Sequence, residues 1–284
     1  SHEALEKEPF IFNYCEPIPP LTHPLESTEK LYVVASNNIP TVYMPYCMMG
    51  GTAPQDRPTT LAQNFSEILA GLVITQCIRE GAPYNAGSMP SIIDMKSTIA
   101  SYACPEFHMM VAASSEMADY YNLPFYGTCG TTDVKTFDQQ AAAEISYEIL
   151  STMLSKANII HDMGLHDHCN SICPAAVVWA NDRINGIKSY CRGVQGDVDI
   201  ELIREVGAGG QHLTTDNTLD NFMDEVWYPE IETRRRICTD TSELYGRIVD
   251  RIDEILTKNP GSRLSKEQLE YLDSKAAQFQ ARVQ

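Results

Sequence analysis

Short apolar runs alternate with long helical patterns through most of this chain, and that alternation limits the fold more than any other feature. Strand candidates stand at FIFNYC (10–15), TVYMPY (41–46), APYNAG (82–87), LPFYGT (123–128) and ANIIHD (157–162). Helical patterns fill the gaps at 26–37, 59–79, 93–100, 105–121 and 137–156, and another follows at 174–191. Repeated strand–helix units predict an α/β fold with a parallel sheet and crossover helices. The first strand is not followed by GxGxxG, so a TIM-type (β/α)8 barrel is expected rather than a dinucleotide-binding sheet. GAGGQHL (207–213) is a sixth, glycine-rich candidate. Five or six strands fall short of the eight that close such a barrel. The expectation is an incomplete barrel whose N-terminal strands precede residue 1, in keeping with the absence of an initiator Met.

The C-terminal part reads as helices only. After patterns at 199–206 and 218–227, two more follow at 242–258 and 265–280. Leu244, Ile248, Ile252 and Ile255 form an apolar stripe at helical spacing. Asn259-Pro260-Gly261 stops that helix, and Ser265 with Gln268 makes a capping box for the last one. The expected organisation is a catalytic partial barrel over 1–231 and a helical extension packed on it over 232–284.

Composition narrows the function. Lys plus Arg is 21 against 38 Asp plus Glu, a formal charge of −17. Such a surface repels nucleic-acid backbones and anionic membranes. The strongly apolar run Ile68–Ile78 is too short to span a bilayer. Nine cysteines, an odd number, stand in a chain without a visible secretion signal, so a reducing cytoplasm is expected and most thiols are read as buried.

In a (β/α) barrel the active site gathers at the carboxyl ends of the strands. That rule selects Glu16 after the first strand, Tyr46 at the end of the second, and His161 at the end of the fifth. It also selects the loop GTCGTTDVK (127–135), whose glycines allow close approach to a ligand and whose Thr131, Thr132 and Asp133 can orient it. Tyr14, Tyr43, Tyr46, Tyr84, Phe107 and Tyr126 lie on or near the strands. Grouped aromatic faces can hold a quaternary ammonium by cation–π attraction, although each ring alone also suits ordinary packing. Tyr46 is the best placed of them, at its strand's end. The segment HDMGLHDHCNSIC (161–173) collects three histidines and two cysteines. A zinc-dependent barrel enzyme is therefore a second reading, without support from C-x2-C or H-E-x-x-H spacing. A non-catalytic scaffold that binds quaternary amines is a third.

Several phrases together resemble the trimethylamine:corrinoid methyltransferase superfamily. They are EPIPPLTHPLES (16–27), PYCMMGGTAP (45–54), LAQNFSEILAGLVITQ (61–76), GAPYNAGSMPSIIDMK (81–96) and EMADYYNLPFYGT (116–128). TDVKTFDQQAAAE (132–144), SKANIIHDMGLHDHCNS (155–171) and VWYPEI (226–231) continue it. Family chains are longer at the N-terminus, so this chain resembles their larger C-terminal part. The departures are QDRPTT (55–60) and Asn217, where many relatives have histidine.

The resemblance implies methyl transfer from a methylated amine to the cob(I)alamin of a separate corrinoid protein, with no cofactor bound directly and no metal held. Members acting on trimethylamine carry pyrrolysine in the loop corresponding to 129–133, whose electrophilic ring captures an amine lone pair. Here that loop is Cys129, Gly130, Thr131, Thr132 and Asp133. A glycine-betaine-type quaternary amine, which has no lone pair, is the implied substrate. Asp133, Thr132 and His161 are the expected catalytic residues. Glu16, Tyr46, Tyr84, Tyr126, Thr131, His168 and His212 are the expected substrate contacts, with the histidines available for a carboxylate. An open barrel leaves sheet edges uncovered, so a homo-oligomer is expected as well.

Overall fold

The structure is a computed structural model that describes residues 2–234, 243–259, 261 and 263–283. Cys238 and Pro260 lie outside the described residues. The chain divides into two compact units, Ser1–Thr241 and Ser242–Gln284.

The first unit opens with α1 (His2–Lys7), β1 (Asn13–Cys15), α2 (Leu25–Ser36), β2 (Thr41–Tyr43), β3 (Met48–Met49) and α3 (Arg57–Ile78). Next come β4 (Tyr84–Gly87), β5 (Ser91–Asp94), β6 (Ile99–Ser101), α4 (Pro105–Tyr120), β7 (Phe125–Thr128) and α5 (Gln139–Ser155). It closes with β8 (Ile159–His161), β9 (Leu165–His166), β10 (Ser171–Ile172), α6 (Pro174–Cys191), α7 (Ile200–Val206) and α8 (Asp216–Glu225). β1, β2, β4, β7 and β8 form one five-stranded sheet, every pair parallel, in chain order. A parallel sheet wound in chain order, with a helix after each strand, curls as half of a barrel does.

The helices start where local chemistry stops competing with them. Asp56 accepts from the Thr59 backbone N–H at 2.9 Å to cap α3, and Asp138 accepts from the N–H groups of Gln140 and Ala141 to cap α5. α3 is long and apolar enough to cross a bilayer by composition alone. Here it buries Phe65 and Ile68 in the core instead. It lies so close to β2 that a Cβ on Gly71 would sit 2.3 Å from the Tyr43 ring. Between helices and sheet, Leu31, Tyr43, Phe65, Ile68, Phe107 and Phe125 are almost wholly excluded from water. Each such side chain contributes about 1.5–3 kcal/mol by burial.

Two expectations fail here. The helix predicted at 93–100 is a β-hairpin of β5 and β6, with Ile92 opposite Ser101 and Asp94 opposite Ile99. Its β-branched residues favour extended backbone, and Asp94 forms the turn by accepting from the Lys96 N–H and the Ser97 hydroxyl. The sixth strand at 207–213 is absent. That stretch is turn and coil, with Gly207 and Gly209 at positive φ. A glycine-rich run has little side chain to pack in a sheet and gains least from joining one.

From 192 to 226 the chain carries α7 and α8, neither with a buried residue. It returns to α6 at 227–232, where buried Asp182 accepts from the backbone N–H groups of Glu230, Ile231 and Glu232. The second unit holds α9 (Leu244–Lys258) and α10 (Lys266–Val283). The capping box of α10 forms as the sequence suggests. The Gln268 N–H donates to the Ser265 hydroxyl at 3.2 Å and the Gln268 side chain accepts from the Ser265 N–H at 2.8 Å.

Candidate active site

Strand parity decides which side chains face the inside of the curl. Gly87 pairs with Tyr126, and a Cβ on Gly87 would meet Val42 and Met44. Val42, Gly87 and Tyr126 therefore share one face, and Tyr14, Thr128 and His161 follow from the register. Tyr43, Tyr84 and Phe125 alternate to the helix side. This corrects the expectation for Tyr84, whose ring is buried and whose hydroxyl donates to the Ile68 carbonyl of α3 at 2.6 Å.

At the carboxyl ends of the strands the inner face opens into a cleft of about 530 Å³. Phe12, Tyr14, Tyr102, Tyr126 and His161 give it aromatic walls. Asp162 supplies the one carboxylate of the wall, and Met89, Leu165 and Cys169 complete it. Tyr126 and His161 stack with centroids 4.3 Å apart at 20°, and Phe12 meets the Tyr126 ring edge-on at 5.9 Å. Tyr14 lies 6.2 Å from both the Tyr126 and His161 rings. Its hydroxyl donates to Glu16. Burial, reinforced by Glu16, keeps the Tyr14 phenol neutral by raising its pKa.

His161 is fixed at both nitrogens. Nδ1 lies 2.7 Å from Asp162, and Nε2 lies 3.1 Å from the Thr128 hydroxyl.

The loop after β7 turns the other way. The Thr131 N–H and hydroxyl donate to Glu148 of α5, the latter at 3.1–3.2 Å. The Thr132 hydroxyl and the Asp133 N–H donate to Glu144 of the same helix. Burial raises the Glu148 pKa to about 8, against the lowering effect of the Thr131 donors. Thr131 and Thr132, expected to face substrate, are instead buried against α5 and do not line the cleft. Gly130 lets the chain make this turn. It sits at φ +80°, and a Cβ there would come 2.2 Å from the Met163 sulfur.

Asp133 works across the mouth. It accepts from the Tyr102 N–H at 2.8 Å and from the Ser101 hydroxyl, and His168 Nδ1 approaches it at 3.2 Å. It thereby ties the loop after β7 to the β5–β6 hairpin and to the segment after β8. Tyr46 stacks on the outer side of this arrangement, 5.5 Å from Tyr102 at 13°. Tyr46 is thus a backing ring for a wall residue and does not itself line the cleft. His212 is exposed between α7 and α8, outside the cleft.

Sequence reasoning brings together Tyr126 and His161, with Glu16, Asp133 and His168 just behind the walls. It misses Phe12, Tyr102 and the pair Glu144/Glu148. A spacing of four on the helix face AAAEISYEIL could have marked the two glutamates as neighbours. Of the histidines behind the zinc reading, His161 turns to Asp162, His166 to the Gly164 carbonyl, and His168 lies near Asp133. Among the described residues, no three His, Cys, Asp or Glu side chains converge as metal ligands. The eight described cysteines are free thiols.

Comparison with known proteins places this chain in a family. Over 236 residues the chain is 25% identical to the glycine betaine methyltransferase of Desulfitobacterium hafniense strain Y51, covering 82% of this chain and 49% of that protein. It is 30% identical over 216 residues to the trimethylamine methyltransferase MttB of D. hafniense strain DSM 10664 / DCB-2, covering 75% and 43%. To the corresponding Methanosarcina barkeri (strain Fusaro / DSM 804) protein it is 29% identical over 219 residues, covering 76% and 44%. The chain thus spans about half the length of the relatives it matches. The family model for trimethylamine methyltransferase (MTTB) matches residues 1–274, and the chain belongs to that family of methyltransferases.

Proposed function

We propose that this chain carries the substrate-holding part of an enzyme that moves a methyl group from a quaternary amine of the betaine kind to the cob(I)alamin of a separate corrinoid protein. The observation that carries the reading is the aromatic cleft at the carboxyl ends of the parallel strands. The glycine betaine and trimethylamine methyltransferases among the relatives support the amine class.

A cleft of about 530 Å³ suits a trimethylammonium head. The corrinoid is presented at the mouth by its own carrier protein. When presented, that cofactor supplies the methyl-accepting nucleophile. The chain's own task is to bind and orient. Phe12, Tyr14, Tyr102 and Tyr126 offer π faces to the cationic nitrogen. Tyr126 stacked on the doubly anchored His161 gives that wall a fixed geometry. Asp133, Thr131 and Thr132 act as positioning residues that hold the hairpin and loops around the mouth. A quaternary nitrogen is already an activated leaving group, so expelling the amine needs no acid.

A cytoplasmic setting is part of the proposal, supported by the free thiols. So is self-association, supported by the exposed Phe10, Ile11 and Ile160 beside the two edge strands β1 and β8. The test incubates the protein with cob(I)alamin and, in turn, quaternary amines and trimethylamine, following cobalamin methylation by absorbance. Methylation from a quaternary amine is expected. Methylation from trimethylamine alone would refute the substrate class. Binding of quaternary amines without any transfer would indicate a scaffold instead.

A further inference from the structure

We infer that Asp162 is the residue through which the cleft reads the charge of its ligand, selecting a trimethylammonium head over an uncharged group of the same shape. This rests on the proposed function and names the side chain that sets its cation specificity.

Strand alternation alone would put this carboxylate elsewhere. In β8, His161 pairs with Thr128 and faces the inside of the curl, while Ile160 pairs with Gly127 and faces the helices. Continued extended backbone would carry Asp162 to the helix side with Ile160. Instead Asp162 has φ +72°, in the left-handed region that disfavours most side chains and that Asp and Asn tolerate best. The side chain therefore swings back, lines the cleft beside His161, and sets an oxygen 2.7 Å from His161 Nδ1. Three backbone bonds hold the turn. The Cys129 N–H donates to the His161 carbonyl at 3.1 Å, the Gly164 N–H to the Gly130 carbonyl at 2.9 Å, and the Leu165 N–H to the Asp162 carbonyl at 3.1 Å. A disfavoured backbone conformation held in place at a cleft wall points to a use for the side chain it presents.

The field of the carboxylate reaches the neighbouring walls. After burial, Asp162 is the next cause that raises the pKa of the Tyr126 phenol and of the Cys169 thiol, the latter to about 12. Both side chains line the cleft. A group that disfavours negative charge on two lining side chains favours positive charge in the space they enclose. The ring faces alone accept either a cation or an apolar group of that size, with some preference for the cation. The carboxylate adds discrimination that shape cannot supply.

Glycine betaine and the anion of tert-butylacetic acid isolate this effect, because a tert-butyl carbon replaces the betaine nitrogen and the rest is the same. Both carry one carboxylate, so whatever that end meets cancels in the ratio of their affinities. The protein is titrated calorimetrically with each at one ionic strength and about pH 8, above the usual imidazole range, so that a charged His161 does not offset the carboxylate. The wild-type protein is expected to prefer the betaine at least about tenfold. Asp162→Asn keeps an oxygen for His161 and the tolerance for left-handed backbone, and loses the charge. It should lower the ratio at least about threefold with an unchanged denaturation midpoint. Asp162→Gly, free to adopt positive φ, removes the carboxylate by a second route and keeps the test open if the asparagine variant misfolds. A wild-type ratio near one, or a ratio undiminished in the folded variants, would overturn this inference, assign Asp162 to pinning His161, and leave the proposed function standing. If the folded wild-type protein binds neither glycine betaine nor tetramethylammonium, the cleft is not a cation site, and the proposed function fails together with the inference.

Discussion

The two faces of the five-stranded sheet treat aromatic residues in opposite ways. Phe125 and Tyr126 are neighbours in β7, yet Phe125 faces the helices and Tyr126 faces the cleft. On the helix side, Tyr43, Phe65 and Phe125 are nearly or wholly buried among apolar neighbours. On the cleft side, Tyr102 and Tyr126 are buried, but Phe12 is 47% exposed and Tyr14 37% exposed, and all four belong to the aromatic wall. Close packing on one face gives stability. Incomplete packing of Phe12 and Tyr14 on the other leaves ring surface free for a ligand, so substitutions at those two positions and on the helix side should have separable consequences.

The largest effect is expected from Phe125→Ala. It removes a ring from a site with no room to collapse and should destabilise by about 3–5 kcal/mol, a large part of a domain's stability. Chemical denaturation would measure it. A loss below about 1 kcal/mol would mean that the helix-side face is not the packed one.

This division was partly legible in the sequence. Alternating strand and helix patterns located all five parallel strands, and the strand-end rule reached Tyr126 and His161. Parity within a strand was the neglected signal. Tyr84 lies two residues from Ala86, which pairs with Phe125, so its place on the helix side follows once the register is known. The register itself was not readable, because strands of three or four residues carry too short a pattern to fix it. Tyr102 and Phe12 escape for other reasons. Phe12 falls within the first strand candidate (10–15) but at its amino end, which the strand-end rule passes over. Tyr102 lies outside the strands and reaches the cleft through tertiary contacts, as when Asp133 holds its N–H.

The next effect depends on pH and comes from the helix side. Burial raises the Glu148 pKa from 4.5 to about 8, and burial lowers that of His108 from 6.5 to about 4. Between the two Glu148 values the folded state holds a proton that the unfolded chain has lost, so stability falls as pH rises. Between the two His108 values the unfolded chain holds the extra proton, so stability rises with pH. The two slopes, each at most about 1.4 kcal/mol per pH unit, oppose one another up to pH 6.5. Above it only the Glu148 slope remains. Stability should therefore drop by about 2 kcal/mol between pH 6.5 and 8. In Glu148→Gln that drop should vanish, since the neutral amide has no proton to lose. Denaturation midpoints across this range would check it, and an unchanged slope in the variant would show that Glu148 is already ionised.

Asp133→Asn should act locally at the junction between the faces. It keeps one acceptor oxygen for the Tyr102 N–H or the Ser101 hydroxyl and loses the charge that faces His168. A cost of about 1–3 kcal/mol is expected, concentrated in the β5–β6 hairpin. Amide hydrogen exchange should be faster at Tyr102 and unchanged in α5. Uniform acceleration would mean that Asp133 supports the whole fold and not the mouth.

The smallest change in stability should come from Phe12→Ala, and it separates the two faces most clearly. Phe12 touches the Tyr126 ring edge-on at 5.9 Å and is otherwise half open to water. Its removal leaves little cavity, so the stability cost should stay below about 1 kcal/mol. The cation site, by contrast, loses one π face, worth roughly 0.5–1 kcal/mol where it is partly exposed. That corresponds to a two- to fivefold weaker tetramethylammonium affinity, within the roughly 1.4 kcal/mol that makes a factor of ten. Calorimetric titration beside a denaturation curve, on the same preparation, would read both quantities. Weakened binding with an unchanged midpoint is the expected result. A lowered midpoint with unchanged affinity would assign Phe12 to packing and remove it from the wall of the site.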